Sequence, residues 1–161
     1  MSETRAVAGS ILIASLAILG AAFAFQHLAG LQPCVLCIWQ RYPYAATIAL
    51  GALALLLADH RRLAAGILAL SGGVFLIGAG IAAYHVGVEQ GWWQGTAACG
   101  STRPPSGSIE ELRERLMRTP VVRCDEVAWS LLGVSMAGYN LLLSLGLAST
   151  TLWATYRQAR R

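Results

Sequence analysis

The stretch Leu63–Val88 reads LAAGILALSGGVFLIGAGIAAYHVGV and holds no charged residue. A helix that crosses a bilayer needs roughly 20 mostly apolar residues, and this run supplies them. Three more uncharged runs accompany it, Ala6–Gln40, Tyr42–Ala58 and Val127–Tyr156. Only 12% of the 161 residues are charged and 56% are hydrophobic, against about 25% charged in an average soluble domain. Hydrocarbon offers no partner to backbone N–H and C=O groups, so the spans should be helices. The Leu- and Ala-rich runs lack the period-two alternation of a membrane barrel. The sequence therefore predicts an all-α membrane protein. It should form one domain over 1–161, a four-transmembrane-helix bundle with approximate spans 8–29, 41–58, 63–87 and 127–153.

Charge sets the orientation. One end carries six arginines (Arg5, Arg61, Arg62, Arg157, Arg160, Arg161) against two acids, Glu3 and Asp59. The other end carries the loops 30–40 and 88–126, the longer of which has five Arg and six acidic residues. Short basic loops stay in the cytoplasm, so both termini are expected there. Cys34, Cys37, Cys99 and Cys124 then lie outside, where disulfides persist. The net charge of +4 reflects this topology; membrane lipid is the expected surroundings, with no nucleic-acid partner. Within the long loop, Pro104-Pro105 breaks any helix, and Ser108 with Glu111 matches a capping box. Ile109, Leu112, Leu116 and Met117 follow at helical spacing up to Pro120. A short amphipathic interfacial helix is expected there.

Cys34-Val35-Leu36-Cys37 follows Pro33, a residue suited to the first turn of a helix. Thiols at a helix N-terminus have lowered pKa values and exchange more readily. A C-x-x-C can be a redox pair, half of a metal site or a structural bridge. Zinc and iron–sulfur sites usually add a second closely spaced pair. Cys99 and Cys124 are far apart, so no metal is expected and redox exchange fits best. Cys99 and Cys124 alone fit either a structural or a redox-active disulfide. The small polar flank Thr96-Ala97-Ala98-Cys99-Gly100-Ser101 should be mobile and accessible to a partner.

Arg41 stands four residues after Cys37, on the same face of a helix, although Pro43 could kink the chain there. Its guanidinium could stabilise a thiolate or a reduced quinone oxygen. His85 sits near the outer end of its span at about the depth of Arg41. An ionisable residue inside a span marks a functional site by default. His27 lies at similar depth with weaker support, and His60 belongs to the basic turn. Trp39, Tyr42, Tyr44, Trp92 and Trp93 read as an interfacial aromatic belt. Gly133 and Ala137 form a small-xxx-small pair for close helix packing, and Asn140 is expected to hydrogen-bond across helices.

Pro33-Cys34-Val35-Leu36-Cys37-Ile38-Trp39-Gln40-Arg41 resembles the first-loop motif of the disulfide bond formation protein B (DsbB) family. Tyr84-His85-Val86-Gly87-Val88-Glu89, the Cys99 loop and Cys124-Asp125-Glu126 resemble later segments of its bacterial members. The resemblance implies an enzyme of the bacterial inner membrane. It would reoxidise a periplasmic DsbA-like thioredoxin-fold oxidase and pass electrons to a quinone, ubiquinone or menaquinone, which keeps the periplasm oxidising. Carried over by position, Cys99–Cys124 is the disulfide attacked by the partner, with Cys99 in the mixed disulfide. Cys124 then engages Cys34 and leaves Cys37 as a thiolate against the quinone ring. Arg41 and His85 are similar to the family's quinone-site arginine and histidine. A four-span scaffold with structural disulfides would share the topology, and a metal transporter could use thiols and His85. The first needs no arginine four residues after the C-x-x-C, and for the second there are too few intramembrane carboxylates.

Overall fold

The computed structural model describes residues 2–97, 99 and 122–160. The chain forms α1 (Ser2–His27), α2 (Val35–Trp39), α3 (Arg41–Leu56), α4 (Arg61–Glu89), a hairpin of β1 (Ser130–Leu131) and β2 (Val134–Ser135), and α5 (Met136–Ala159). The expected interfacial helix around 108–118 lies outside the described residues. α1 packs along α3, α3 along α4 and α4 along α5, whereas α1 and α5 meet only sparsely. The long helices thus follow one another in chain order. Arg5 pairs with Asp59 at 3.0 Å and Thr4 hydrogen-bonds Gln158 at 3.2 Å. These contacts gather the N-terminus, the α3–α4 turn and the C-terminus at one end.

Among the described residues, Glu3–His27 and Arg61–Glu89 are long and apolar enough to cross a membrane. α3 has 16 residues, about 24 Å of helix against a hydrocarbon core of about 30 Å. Only Gln40 separates it from α2, the short turn that follows Cys34. Side chains such as Ile13, Leu16, Leu70, Ile77 and Leu142 stand exposed around the bundle. An apolar surface of that extent belongs against lipid, and the protein is a helical membrane protein.

Inside, Ala8, Ile11, Tyr44, Ala54, Leu68, Phe75 and Ala148 form the main buried cluster. Alanines let the backbones approach, as membrane packing requires. Buried hydroxyls are paired, with Ser15 and Thr47 sharing a hydrogen bond of 2.8 Å. Tyr44 departs from the aromatic-belt expectation. It is 3% exposed and belongs to this cluster, its hydroxyl bonded to Asn140 and to Ser144. Trp39, Tyr42, Trp92 and Trp93 are exposed as a belt requires.

The last helix begins at Met136, well after the expected start of that span at 127. Ser130 pairs with Ser135 and Leu131 with Val134 across a two-residue turn. Leu132 and Gly133 both have positive φ, 51° and 79°, which such a turn requires. Gly133 therefore lies off the helix and forms no packing pair with Ala137. Hydropathy could not reveal the hairpin because Leu131, Leu132 and Val134 are as apolar as a helix core. Ser135 sets the true start, its hydroxyl accepting the Gly138 N–H at 3.1 Å as an N-cap.

Candidate functional site

α2 is a single short turn whose first side-chain contact is made by sulfur. Cys34 is its N-cap, and its Sγ accepts the Cys37 N–H at 3.2 Å. The Cys34 and Cys37 sulfurs are 2.8 Å apart and unbonded. On the other side, His85 Nε2 lies 3.6 Å from Cys34 Sγ. A hydrogen bond from the Cys37 thiol, opposed by burial and assisted by His85 and the Cys37 N–H, lowers the Cys34 pKa to about 4. Cys37 is pushed strongly up, because its proton is held by the Cys34 sulfur and the site is dry. The negative charge thus rests on Cys34; the lowered pKa expected of thiols at a helix N-terminus holds for Cys34 and is reversed at Cys37.

His85, on α4, is held from the α2–α3 junction. Its Nδ1 meets Gln40 Nε2 at 2.7 Å. Gln40 Nε2 also donates to the Leu36 carbonyl at 3.3 Å, and its Oε1 accepts from Asn140. Those bonds fix the amide orientation and leave Nδ1 as an acceptor, so the ring proton faces Cys34. Asn140 continues to Tyr44, and Tyr44 to Ser144 at 2.8 Å. The cross-helix role expected of Asn140 is therefore realised as part of a chain of amides and hydroxyls. Beside the other ring nitrogen, the buried Glu89 Oε1 lies 3.9 Å from His85 Nε2, and Ser135 donates to Glu89 at 2.5 Å. Ser135 thus caps α5 and holds the last residue of α4 together.

Cys99 and Cys124 form a disulfide. It packs in one buried cluster with Cys34, Leu36 and Val88, and with Cys37 and Tyr84 at its margin. The backbone of Cys124 lies against His85. All four cysteines are therefore neighbours. The accessibility expected of the Cys99 flank is not met at the sulfur, since Cys99 is 7% exposed and Cys124 fully buried. Cys99 packs with Val88, and its N–H closes the turn on the Thr96 carbonyl at 2.8 Å. Next to Cys124, Arg123 chelates Asp125 at 2.9 and 2.5 Å at the surface. That guanidinium lowers the Asp125 pKa.

The turn after α4 is seated by an aromatic bracket. Trp93 stacks on Tyr84 with ring centroids 6.0 Å apart, and its indole N–H donates to the Tyr84 carbonyl at 2.9 Å. A Cβ added at Gly87 would come within 2.0 Å of Cζ2 of Trp93. Gly87→Ala should expel the indole and unseat the segment that leads to Cys99. Overpacking of this kind costs about 1–3 kcal/mol. The expected result is a lower thermal midpoint with altered tryptophan fluorescence; an unchanged spectrum would refute the bracket.

Beside the cysteines a cavity of about 340 Å³ opens between α1, α3 and α5. Ile18, Leu19, Ala22, Phe25 and Leu143 line its apolar length, and Cys37, Gln40, Arg41, Tyr44, His85 and Asn140 line its polar part. Cys37 faces this space; Cys34 does not line it. Arg41 lies in the first turn of α3, where Pro43 is tolerated because its missing N–H has no intrahelical partner. The helix is not diverted, and Cys37 and Arg41 reach the same cavity. Arg41 donates to Gln26 Oε1 at 2.6 Å and lies 4.8 Å over the Phe23 ring. His27 is exposed, stacks on Phe23 and does not line the cavity. Gln40 and Glu89 escaped sequence reasoning as site residues. An amide within an apolar stretch was the available signal for Gln40.

Residues 4–154 match the family described as Disulfide bond formation protein DsbB. The chain is 32% identical to "Disulfide bond formation protein B 2" of Pseudomonas syringae pv. syringae, an alignment covering 98% of this chain and 91% of that protein. It is 36% identical to "Disulfide bond formation protein B" of Xanthomonas euvesicatoria pv. vesicatoria, covering 82% and 78%. "Uncharacterized protein RP370" of Rickettsia prowazekii is 32% identical, covering 81% and 76%. No solved structure matches the chain significantly. With a family match over nearly its whole length and its cysteines gathered beside one cavity, the chain belongs to the DsbB family of disulfide bond formation proteins.

Proposed function

We propose that this protein is a membrane thiol:quinone oxidoreductase. It accepts electrons from a periplasmic DsbA-like thioredoxin-fold oxidase at Cys99–Cys124 and passes them through Cys34 and Cys37 to ubiquinone or menaquinone. The observation that carries this reading is the position of Cys37. It touches the buried cluster that holds the other three cysteines on one side and the cavity on the other. The reading includes four spans, both termini in the cytoplasm, and the bacterial inner membrane as location.

The residues around the cavity suit a quinone. An apolar trough meets a polar end bearing a guanidinium, an imidazole, two amides and a thiol, as a flat ring with polar oxygens and a lipid tail needs. When bound, such a carrier supplies a sink for two electrons and two protons. The chain's own residues do the rest. A partner thiolate attacks Cys99, forming a mixed disulfide and releasing Cys124 as a thiolate. Burial of Cys99 means that the Thr96–Cys99 turn opens first. Cys124 then attacks Cys34 of a Cys34–Cys37 disulfide and releases Cys37 as a thiolate toward the cavity. The second partner thiol resolves the mixed disulfide, leaving the partner oxidised and Cys99 a thiolate. Cys99 attacks Cys124, which restores Cys99–Cys124 and frees Cys34, and Cys34 and Cys37 would then close again by giving two electrons to a bound carrier. Exchange by thiolate attack is the ordinary chemistry of such relays.

Quinone-dependent oxidation of a reduced thioredoxin-like dithiol, measured for the wild type and the four single Cys→Ser variants, tests the proposal. Wild-type turnover without quinone, or labelling of the cysteines only from the cytoplasmic side, would end it. Arg41→Ala should raise the apparent KM for quinone about 10- to 100-fold, the value of a hydrogen bond to a charged group. Partner binding should be unchanged; an unaltered KM for quinone would remove Arg41 from the pocket.

A further inference from the structure

We propose that the reduced protein contains a zinc-class metal site formed by Cys34, Cys37 and His85. Their ligand atoms, two sulfurs and one ring nitrogen, all lie within 4.8 Å of one another. The sequence argument against metal required a second closely spaced cysteine pair. The fold instead brings the third ligand from α4. Zinc–sulfur and zinc–nitrogen bonds of about 2.3 and 2.0–2.1 Å give a tetrahedral S–N edge of about 3.6 Å. The Cys34 Sγ to His85 Nε2 distance is 3.6 Å. The two sulfurs, 2.8 Å apart, need to part by about 1 Å to reach a tetrahedral S–S edge, which a χ1 adjustment of the partly buried Cys37 provides.

Three features beyond spacing suit a metal. Cys34 and His85 are 4% and 3% exposed, so ligands are dry and held in place. Gln40 lies against the far ring nitrogen at 2.7 Å, where metal-bound histidines find an outer partner. Cys37 and His85 both line the cavity, which leaves an open fourth position as in two-cysteine, one-histidine zinc sites. Binding is not a redox step. Zn²⁺ takes both sulfurs as thiolates and His85 through Nε2, and the remaining thiol proton leaves. The ring proton moves to Nδ1, and the amides of Gln40 and Asn140 turn together: Gln40 Oε1 accepts from Nδ1, Asn140 Oδ1 accepts from Gln40, and the Tyr44 hydroxyl, donating to Ser144, accepts from Asn140. With both sulfurs occupied, Cys34–Cys37 cannot close, so metal and disulfide exclude one another. This inference goes beyond the proposed electron transfer: the chain could fail to bind zinc and still reduce quinone, or the reverse.

The test uses the full-length reduced protein in detergent with Zn²⁺ alone, in competition with a chromogenic chelator. One zinc per chain is expected, also in a Cys99→Ser/Cys124→Ser variant, and none after Cys34–Cys37 is oxidised. Bound zinc should protect the pair from a thiol oxidant. Losing an outer-shell partner typically lowers affinity about 10- to 100-fold, so removing a ligand by Cys37→Ser or His85→Gln should exceed that. Helical circular dichroism verifies folding of each variant. Cobalt in place of zinc should give a sulfur-to-metal charge-transfer band that depends on Cys34. Absence of equimolar binding, or equal affinity in His85→Gln, would overturn the three-residue site.

Discussion

Cys37→Ser should leave a protein that still forms a mixed disulfide with a thioredoxin-like dithiol but no longer hands electrons to quinone. The expected fall in quinone-dependent turnover is at least about 10³-fold, the scale on which removal of a reacting nucleophile is felt. The reason is geometric. Cys99–Cys124 and Cys34 lie in the buried cluster, but of these sulfurs only that of Cys37 also borders the cavity. Serine keeps the size of the side chain and removes the thiolate, so packing of Leu36 and the α2 turn should survive. The mixed disulfide, trapped with a partner lacking its resolving thiol, provides the control. A variant that turns over within tenfold of wild type would mean that electrons reach quinone by another sulfur.

In the reduced protein, Cys34 should be a thiolate across the whole physiological pH range. Its pKa is lowered to about 4, first by the hydrogen bond from Cys37, with burial opposing and His85 and the Cys37 N–H helping. The sign is that of a depressed acid: the charged form is present above about pH 4 and lost only below it. An ordinary thiol of pKa about 8.5 is only about 0.3% ionised at pH 6, so the contrast is on the order of 300-fold. Thiolate ultraviolet absorbance of the reduced protein, less that of Cys34→Ser, should be flat from pH 5 to 8. His85→Phe should move the midpoint upward by removing one donor. A Cys34-dependent signal that appears only near pH 8 would refute the arrangement of donors around this sulfur.

Charge gaps and hydropathy made the helices at Leu63–Val88 and Ala6–His27 legible, because a long uncharged run has one solution in lipid. The same reasoning failed at Val127–Ser135, where apolar residues form a hairpin. Hydropathy measures affinity for hydrocarbon and carries no information on φ at Leu132 or Gly133. The cysteines, Arg41 and His85 could be singled out because thiols and charges are rare in such runs. What the sequence could not reveal was their sharing out. Placing Cys37 on the cavity and Cys34 against His85 depends on the rotation of one short turn, α2. The polar chain from Gln40 through Asn140 to Tyr44 joins residues 40, 44 and 140, and no local pattern links them. Tyr44 illustrates the loss: its position suited a belt, yet its hydroxyl made a buried bond worthwhile.

The sparse contact between α1 and α5 has a consequence for what can enter. Both helices wall the cavity, through Ile18, Leu19 and Ala22 on one and Met136 and Leu143 on the other, and they hardly touch elsewhere. A seam of that kind opens sideways into the fatty-acid chains. Under the proposed function, a quinone held at Arg41 and His85 would leave its prenyl units outside, among the lipids. Selection would then act on the ring and ignore how many isoprene units trail behind it, so one protein could draw on carriers of any chain length.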